Sequence, residues 1–292
     1  MKYDLRTMIT LVLLFFLTQL IGLFILYKDI SIKIGPTGEK EIAHGETVLG
    51  PRPEITGWET FVWLISGIAI STGLILVIVW LKKVLWWKGL FFISVFLTIS
   101  LALGVFMKTE YAFVLAFLIA ALKLYRPNLF IHNIAQVLMY SGIAILLVPL
   151  FDITWIIALL IVISVYDIYA VFKSKHMVKM ALFQTKSKLF AGITIPLKKA
   201  KKIKGKKVKL REAIIGGGDV AFPLLFAGVV MESLMKSSIT VGIAFLKVLI
   251  IPIIVSLTLL VLLIKGQEGK FYPGMPFITA GCLIAYIIVS LI

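Results

Sequence analysis

Asp167 and Asp219 are the residues whose chemistry most needs explaining. Asp167 follows Tyr166 inside the apolar run 153–172, and Asp219 ends the tract Gly216-Gly217-Gly218-Asp219 inside the apolar run 213–235. A charged side chain at the centre of a bilayer costs about 2.5–3.5 kcal/mol on an insertion scale. Two uncompensated aspartates would cost several kcal/mol, which favours a paired site. Carboxylates that approach within a few ångströms do not both ionise cheaply, so the pair holds one proton between them. The ionised partner can then take a proton from water attacking a peptide carbonyl, while the protonated partner donates to the carbonyl oxygen. That chemistry needs neither a metal nor a covalent nucleophile, and which aspartate takes which role is left open.

Membrane helices must position the pair. The chain is 61% hydrophobic and 15% charged, with a mean hydropathy of +1.07, which excludes an ordinary soluble domain. Apolar runs of bilayer-spanning length recur throughout. The reading is an all-α polytopic membrane protein with nine transmembrane helices, near 7–27, 58–81, 89–107, 110–124, 131–149, 153–172, 212–235, 240–264 and 274–292. Residues 8–27 are too long for a signal-peptide core and no small-x-small site follows, so they read as the first span. Three regions follow: residues 1–172 with the first six spans, a basic loop at 173–211, and residues 212–292 with the last three. The segment 28–57, with its glycines and prolines, reads as a solvent-side loop with turns. No internal repeat stands out, which weakens an inverted-repeat transporter.

Charge sets the orientation. With the N-terminus cytoplasmic, 23 of the 30 lysines and arginines fall on the inside and six on the outside, with Lys247 inside a span. The positive-inside rule therefore predicts a cytoplasmic N-terminus and a C-terminus outside. Asp167 lies six residues before Lys173, about 9 Å in at a rise of 1.5 Å per residue. Asp219 lies eight residues after Arg211, about 12 Å in from the same face. Similar depth from one face is what a pair requires. The net charge of +16 is concentrated in the 173–211 loop, which fits topology and lipid contact rather than nucleic-acid binding.

The neighbours of the pair fit this reading. Gly216, Gly217 and Gly218 allow either close helix packing or a loosened helix entry open to water and substrate. Pro223 leaves the Asp219 carbonyl without its helical donor and loosens the turn. Tyr166, one position from Asp167, points about 100° away on a helix. Gln19, Asn133, Gln136 and Lys247 read as partners for neighbouring helices or as snorkelling groups, and Asp4, His132, Asp152 and Glu232 as solvated span ends. A zinc protease needs a His-Glu-x-x-His helix, which is absent. A serine protease needs a histidine in the membrane interior, whereas His44, His132 and His176 fall at edges or in loops. No metal or cofactor is expected, and the single cysteine, Cys282, excludes an internal disulfide.

Tyr166-Asp167 in one span and Gly216-x-Gly218-Asp219 in the next resemble the signatures of the presenilin and signal peptide peptidase families of intramembrane aspartyl proteases. Span number, spacing and the long inside loop extend the resemblance over nearly the whole chain. Asp219-Val220-Ala221-Phe222-Pro223 is similar to the signal peptide peptidase branch, whereas the orientation resembles presenilin. That mixture suits a prokaryotic, archaeal homologue. The families' Pro-Ala-Leu motif has its counterpart in Pro273-Gly274-Met275, where two of three positions differ. The resemblance implies that Asp167 and Asp219 are catalytic and that Tyr166, the glycines, Pro223, Pro273, Gly274 and Met275 shape the site. It also implies cleavage of transmembrane peptides, membrane-protein stubs or signal-peptide remnants in a cell membrane, by a multi-pass enzyme.

A substrate helix must unwind before cleavage, and its freed backbone groups then need partners. A strand from the 173–211 loop, paired with substrate near 206–211, would supply them by β-augmentation. The alternative class is a proton-coupled transporter or ion channel using the aspartates as a relay. A prepilin peptidase shares Gly-x-Gly-Asp but has about six spans. Monomer and homo-oligomer are both left open.

Overall fold

The computed structural model describes residues 4–34, 40–81, 83–126, 128–173, 190–196, 212–237, 239–266 and 272–292. Its order is α1 (Leu5–Asp29), β1 (Ile30–Ile34), β2 (Lys40–His44), α2 (Trp58–Trp80), α3 (Val84–Gly104), α4 (Thr109–Tyr125) and α5 (Leu129–Leu147). After a 3-10 turn come α6 (Ile153–Phe172), β3 (Gly192–Pro196), β4 (Glu212–Gly216), α7 (Gly217–Lys236), α8 (Val241–Val248), α9 (Ile250–Lys265) and α10 (Met275–Leu291). Seven stretches are long and apolar enough to cross a membrane, with α8 and α9 counted as one; α10 is a shorter apolar helix. The helical membrane architecture expected from the sequence is present.

Two antiparallel hairpins correct the all-helical expectation. β1 pairs with β2 in the 28–57 segment, and β3 pairs with β4 ahead of α7. The seventh span therefore starts at Gly217 rather than near 212, because residues 212–216 are strand. Asp219 accordingly lies in the first turn of α7 rather than two turns into it. The strand sought near 206–211 falls outside the described residues; the observed strand begins just after them.

Large apolar side chains are turned outward along α2, α4 and α6, as lipid-facing surfaces require. The inner core instead gathers on α7, which is far more buried than α2. Phe226, Val220, Leu224 and Met231 of α7 pack with Phe15, Leu23 and Leu26 of α1 and with Ile251 and Val255 of α9. Asp219 is thus carried by the most enclosed helix of the fold.

A charged cluster anchors the end of α7 remote from Asp219. The β1–β2 hairpin brings His44 between Asp29 and Glu232, with Nδ1 at 3.2 Å from one carboxylate and Nε2 at 3.1 Å from the other. Arg52 adds a 2.7 Å ion pair to Asp29. Glu232, read as a solvated span end, is instead buried and paired, because the hairpin folds back over it. Asp152 does sit at a span end, where it caps α6 by accepting from the Trp155 N–H.

Candidate active site

Asp167 projects from α6 one turn before that helix ends and is only 4% exposed. Its Oδ2 accepts a 3.1 Å hydrogen bond from the backbone N–H of Met275, at the start of α10. Two polar contacts fix α6 against α10 just beyond: the Ser164 and Thr279 hydroxyls lie 2.7 Å apart, and Thr279 Oγ1 donates to the Leu160 carbonyl. These bonds hold Asp167 in register with Gly274 and Met275.

Asp219 reaches the same place from the opposite side. A Cβ on Gly274 would lie 2.7 Å from Asp219 Oδ1 and 2.9 Å from Oδ2. Real Cβ atoms essentially never approach this closely, so any side chain at 274 would displace the Asp219 carboxylate. The carboxylates therefore converge on one backbone segment, Gly274–Met275. A Cβ on Gly216, the N-cap of α7, would lie 3.1 Å from Asp219 Oδ2. Together these contacts bring Asp167, Asp219, Gly216, Gly274 and Met275 into one constellation.

The remaining sequence candidates divide. Gly217 is a packing glycine: its N–H donates to the Ala191 carbonyl at 3.0 Å, and a Cβ there would stand 2.8 Å from that oxygen and 3.1 Å from Tyr140 Oη. Gly218 meets only ordinary contact from Phe222. The triplet is thus less a loosened entry than a close seat for β3. Pro223 lies buried inside α7 as expected. Three residues before it, the Val220 carbonyl accepts a 2.8 Å hydrogen bond from Gln19 of α1. Tyr166 is 39% exposed and points away from the buried Asp167, as the helical angle predicts. Pro273 is buried just ahead of the Gly274–Met275 segment.

A cleft of about 100 Å³ opens beside Asp219, lined by Ile214, Ile215 and Gly216, by Leu262 of α9, and by Tyr272 and Gly274. Residues of β4 line it together with the apolar Leu259, Leu262 and Leu263 of α9. That suits an extended apolar peptide.

Sequence reading missed the support beneath this site. His132, Gln136 and Tyr140 recur every fourth residue on α5 and form one polar stripe. His132 Nε2 donates to the Gly192 carbonyl at 2.8 Å, Gln136 Nε2 to Phe190 at 2.9 Å, and Tyr140 sits under Gly217. The four-residue spacing was the available signal. No group of metal-binding side chains occurs among the described residues.

A family model described as signal-peptide peptidase, presenilin aspartyl protease matches residues 55–292, well over half of the chain. The chain belongs to that family. It is accordingly an aspartyl endopeptidase of the intramembrane class. Two solved structures of a presenilin family intramembrane aspartate protease, in C222 and P2 space groups, share its fold. Both have a TM-score of 0.60; the first is 14% identical and covers 97% of this chain and 98% of its own, the second is 17% identical and covers 97% and 96%. A sequence search of curated proteins finds no match.

Proposed function

We propose that this family member hydrolyses peptide bonds within transmembrane helices, with Asp167 and Asp219 as a coupled general acid and base and water as the nucleophile. The observation that carries the reading is the convergence of both carboxylates on Gly274–Met275, beside a cleft that Asp219 and Gly274 line. Asp167 Oδ2 is occupied by the Met275 N–H, while Oδ1 has no hydrogen-bond partner among the described residues. In this mechanism Oδ1 faces the shared proton or the attacking water. One aspartate removes a proton from that water as it adds to the scissile carbonyl, and the other protonates the carbonyl oxygen. The resulting gem-diol collapses as the protonated aspartate passes its proton to the amine nitrogen while the ionised one takes the proton of a diol hydroxyl; the C–N bond breaks, the carbonyl re-forms and the dyad returns to its single-proton state. Assigning one role to each aspartate adds nothing, because the pair titrates as a unit.

The unwound substrate lies along β4, whose backbone offers it a strand partner beside Asp219. The apolar cleft wall accepts its side chains. Pro223, Pro273 and Tyr166 shape the surroundings, and the glycines admit the backbone. Nine membrane crossings with the N-terminus cytoplasmic put the dyad toward the cytoplasmic side of a cell membrane, so cleavage falls in the inner part of the substrate helix. Single-span protein stubs and signal-peptide remnants are the substrate class. One chain supplies both carboxylates, so a monomer is the minimal catalytic unit.

The test is incubation of the purified protein in detergent with a labelled transmembrane peptide, alongside proton-flux measurements in liposomes. Cleavage without flux is the expected result. Proton flux without cleavage would replace this reading with a transport function.

A further inference from the structure

β3 has two edges, and α5 closes one of them. Asn133 forms two hydrogen bonds with a single residue of that strand: its Nδ2 donates to the Thr194 carbonyl at 2.9 Å, and its Oδ1 accepts from the Thr194 N–H at 3.1 Å. This is the pairing that a neighbouring strand would make, reproduced by one side-chain amide. Both bonds also fix the amide's orientation, since a flipped Asn133 would set donor against donor. His132 and Gln136 continue the seam on Gly192 and Phe190.

The consequence passes through the hairpin by alternation. Thr194 is opposite Ile214 in the antiparallel register. Because the N–H and C=O of Thr194 face Asn133, Thr194 and Ile214 are a non-hydrogen-bonded pair. Ile193 and Ile195 therefore bond to Ile215 and Ala213, and the N–H and C=O of Ile214 point to the far edge of β4. Ile214 lines the cleft that holds Asp219. Beyond it, β4 enters α7 directly through Gly216, and the Gly217 N–H returns to Ala191 beside β3. Any slip of β3 along α5 is thus transmitted to the edge that Ile214 presents to the cleft.

We propose that Asn133 is a positioning residue for substrate: it closes the outer edge of β3 and sets the register in which an extended apolar substrate segment pairs with Ile214. The inference rests on the proteolytic reading above. A slip of one residue would present the opposite face of the substrate strand to the cleft, so Asn133 governs which bond is cut as well as how tightly substrate binds. The carboxylate dyad, flanked by Gly216 and Gly274–Met275, is built independently of it.

The experiment uses the full-length protein in detergent with a labelled transmembrane peptide. It measures KM, kcat and, by mass spectrometry, the scissile bond for wild type, Asn133→Leu and Asn133→Gln. Asn133→Leu should raise KM about fivefold, the scale expected for loss of a hydrogen-bonded partner. It should also spread cleavage over neighbouring bonds, while kcat changes less. Binding of a short hydroxyl-containing peptide isostere that contacts the dyad alone should be retained. Asn133→Gln, which keeps the amide, should restore part of the single cleavage position. If Asn133→Leu lowers folded yield, Asn133→Asp keeps the acceptor for the Thr194 N–H, loses the donor, and should shift the cleavage pattern in the same direction. Cleavage at the wild-type bond with wild-type KM in these variants would overturn the inference and leave the proteolytic reading standing. A parallel loss of isostere binding and thermal stability without any change of cleavage position would reduce Asn133 to a structural role and also overturn it. Absence of cleavage by wild type would remove both.

Discussion

Gly274 and Asp219 stand so close that a methyl group on the glycine would lie 2.7 Å from a carboxylate oxygen. The contact is with the proposed reacting group itself, so relief by rotation of the aspartate is not harmless. Gly274→Ala should fold, because the displaced atoms are the end of a short side chain, yet lose about 10²-fold in kcat, the scale of an ångström-sized misplacement. Steady-state cleavage of a transmembrane peptide measures this. Near-wild-type turnover would show that the carboxylate position is not critical.

Gly217 makes the opposite kind of contact. A Cβ there would meet the backbone carbonyl of Ala191 at 2.8 Å, and that backbone belongs to the approach to β3. Gly217→Ala should lower stability by about 1–3 kcal/mol through overpacking. Thermal unfolding in detergent is the measurement, and an unchanged midpoint would mean that the hairpin is not seated as described.

Gln19 is buried, and its amide satisfies the Val220 carbonyl next to Asp219. Gln19→Leu preserves bulk but removes this buried interhelical hydrogen bond, at a cost of about 0.5–1.5 kcal/mol. The loss should appear in thermal unfolding and, because it lies one residue from Asp219, in a reduced kcat. Loss of stability with full activity would separate this bond from the site.

The cluster at the far end of α7 should make folding sensitive to pH. Burial alone would lower the pKa of His44, but its hydrogen bonds to Asp29 and Glu232 and their charges outweigh that and raise it above the ordinary 6.5. Each ring nitrogen faces a carboxylate, and only the imidazolium donates from both. A pKa raised on folding gives stability that is fully present below about pH 6.5 and is lost as pH rises through the folded value. The thermal midpoint of wild type should therefore fall from mildly acidic to alkaline pH over this window. His44→Gln should flatten that part of the profile; an equal slope in both proteins would remove His44 as its source.

Much of the site was legible because its residues break the rules of a membrane span. Asp167 and Asp219 stood out against apolar runs, and Pro273-Gly274-Met275 was placed beside them by resemblance even though two of its three residues differ. The β3–β4 hairpin was harder to delimit, because its strands flank a lysine-rich stretch that reads as a solvated loop. Asn133 and Gln136 were assigned to helix neighbours, since side-chain type reveals a need for hydrogen bonds but not the backbone that meets it. Glu232 was read as solvated because the hairpin covering it comes from a segment nearly two hundred residues earlier. Local pattern carried the spans; contacts between distant segments decided the rest.

The most direct test of the account replaces each aspartate in turn. Asp167→Asn and Asp219→Asn are close in shape to the native residues but neither can act as the ionised member of a shared-proton pair. With a labelled transmembrane peptide and matched folded protein, the account predicts wild-type cleavage and none above background in either variant. Cleavage that survives either substitution would contradict a mechanism in which both carboxylates act on the same bond.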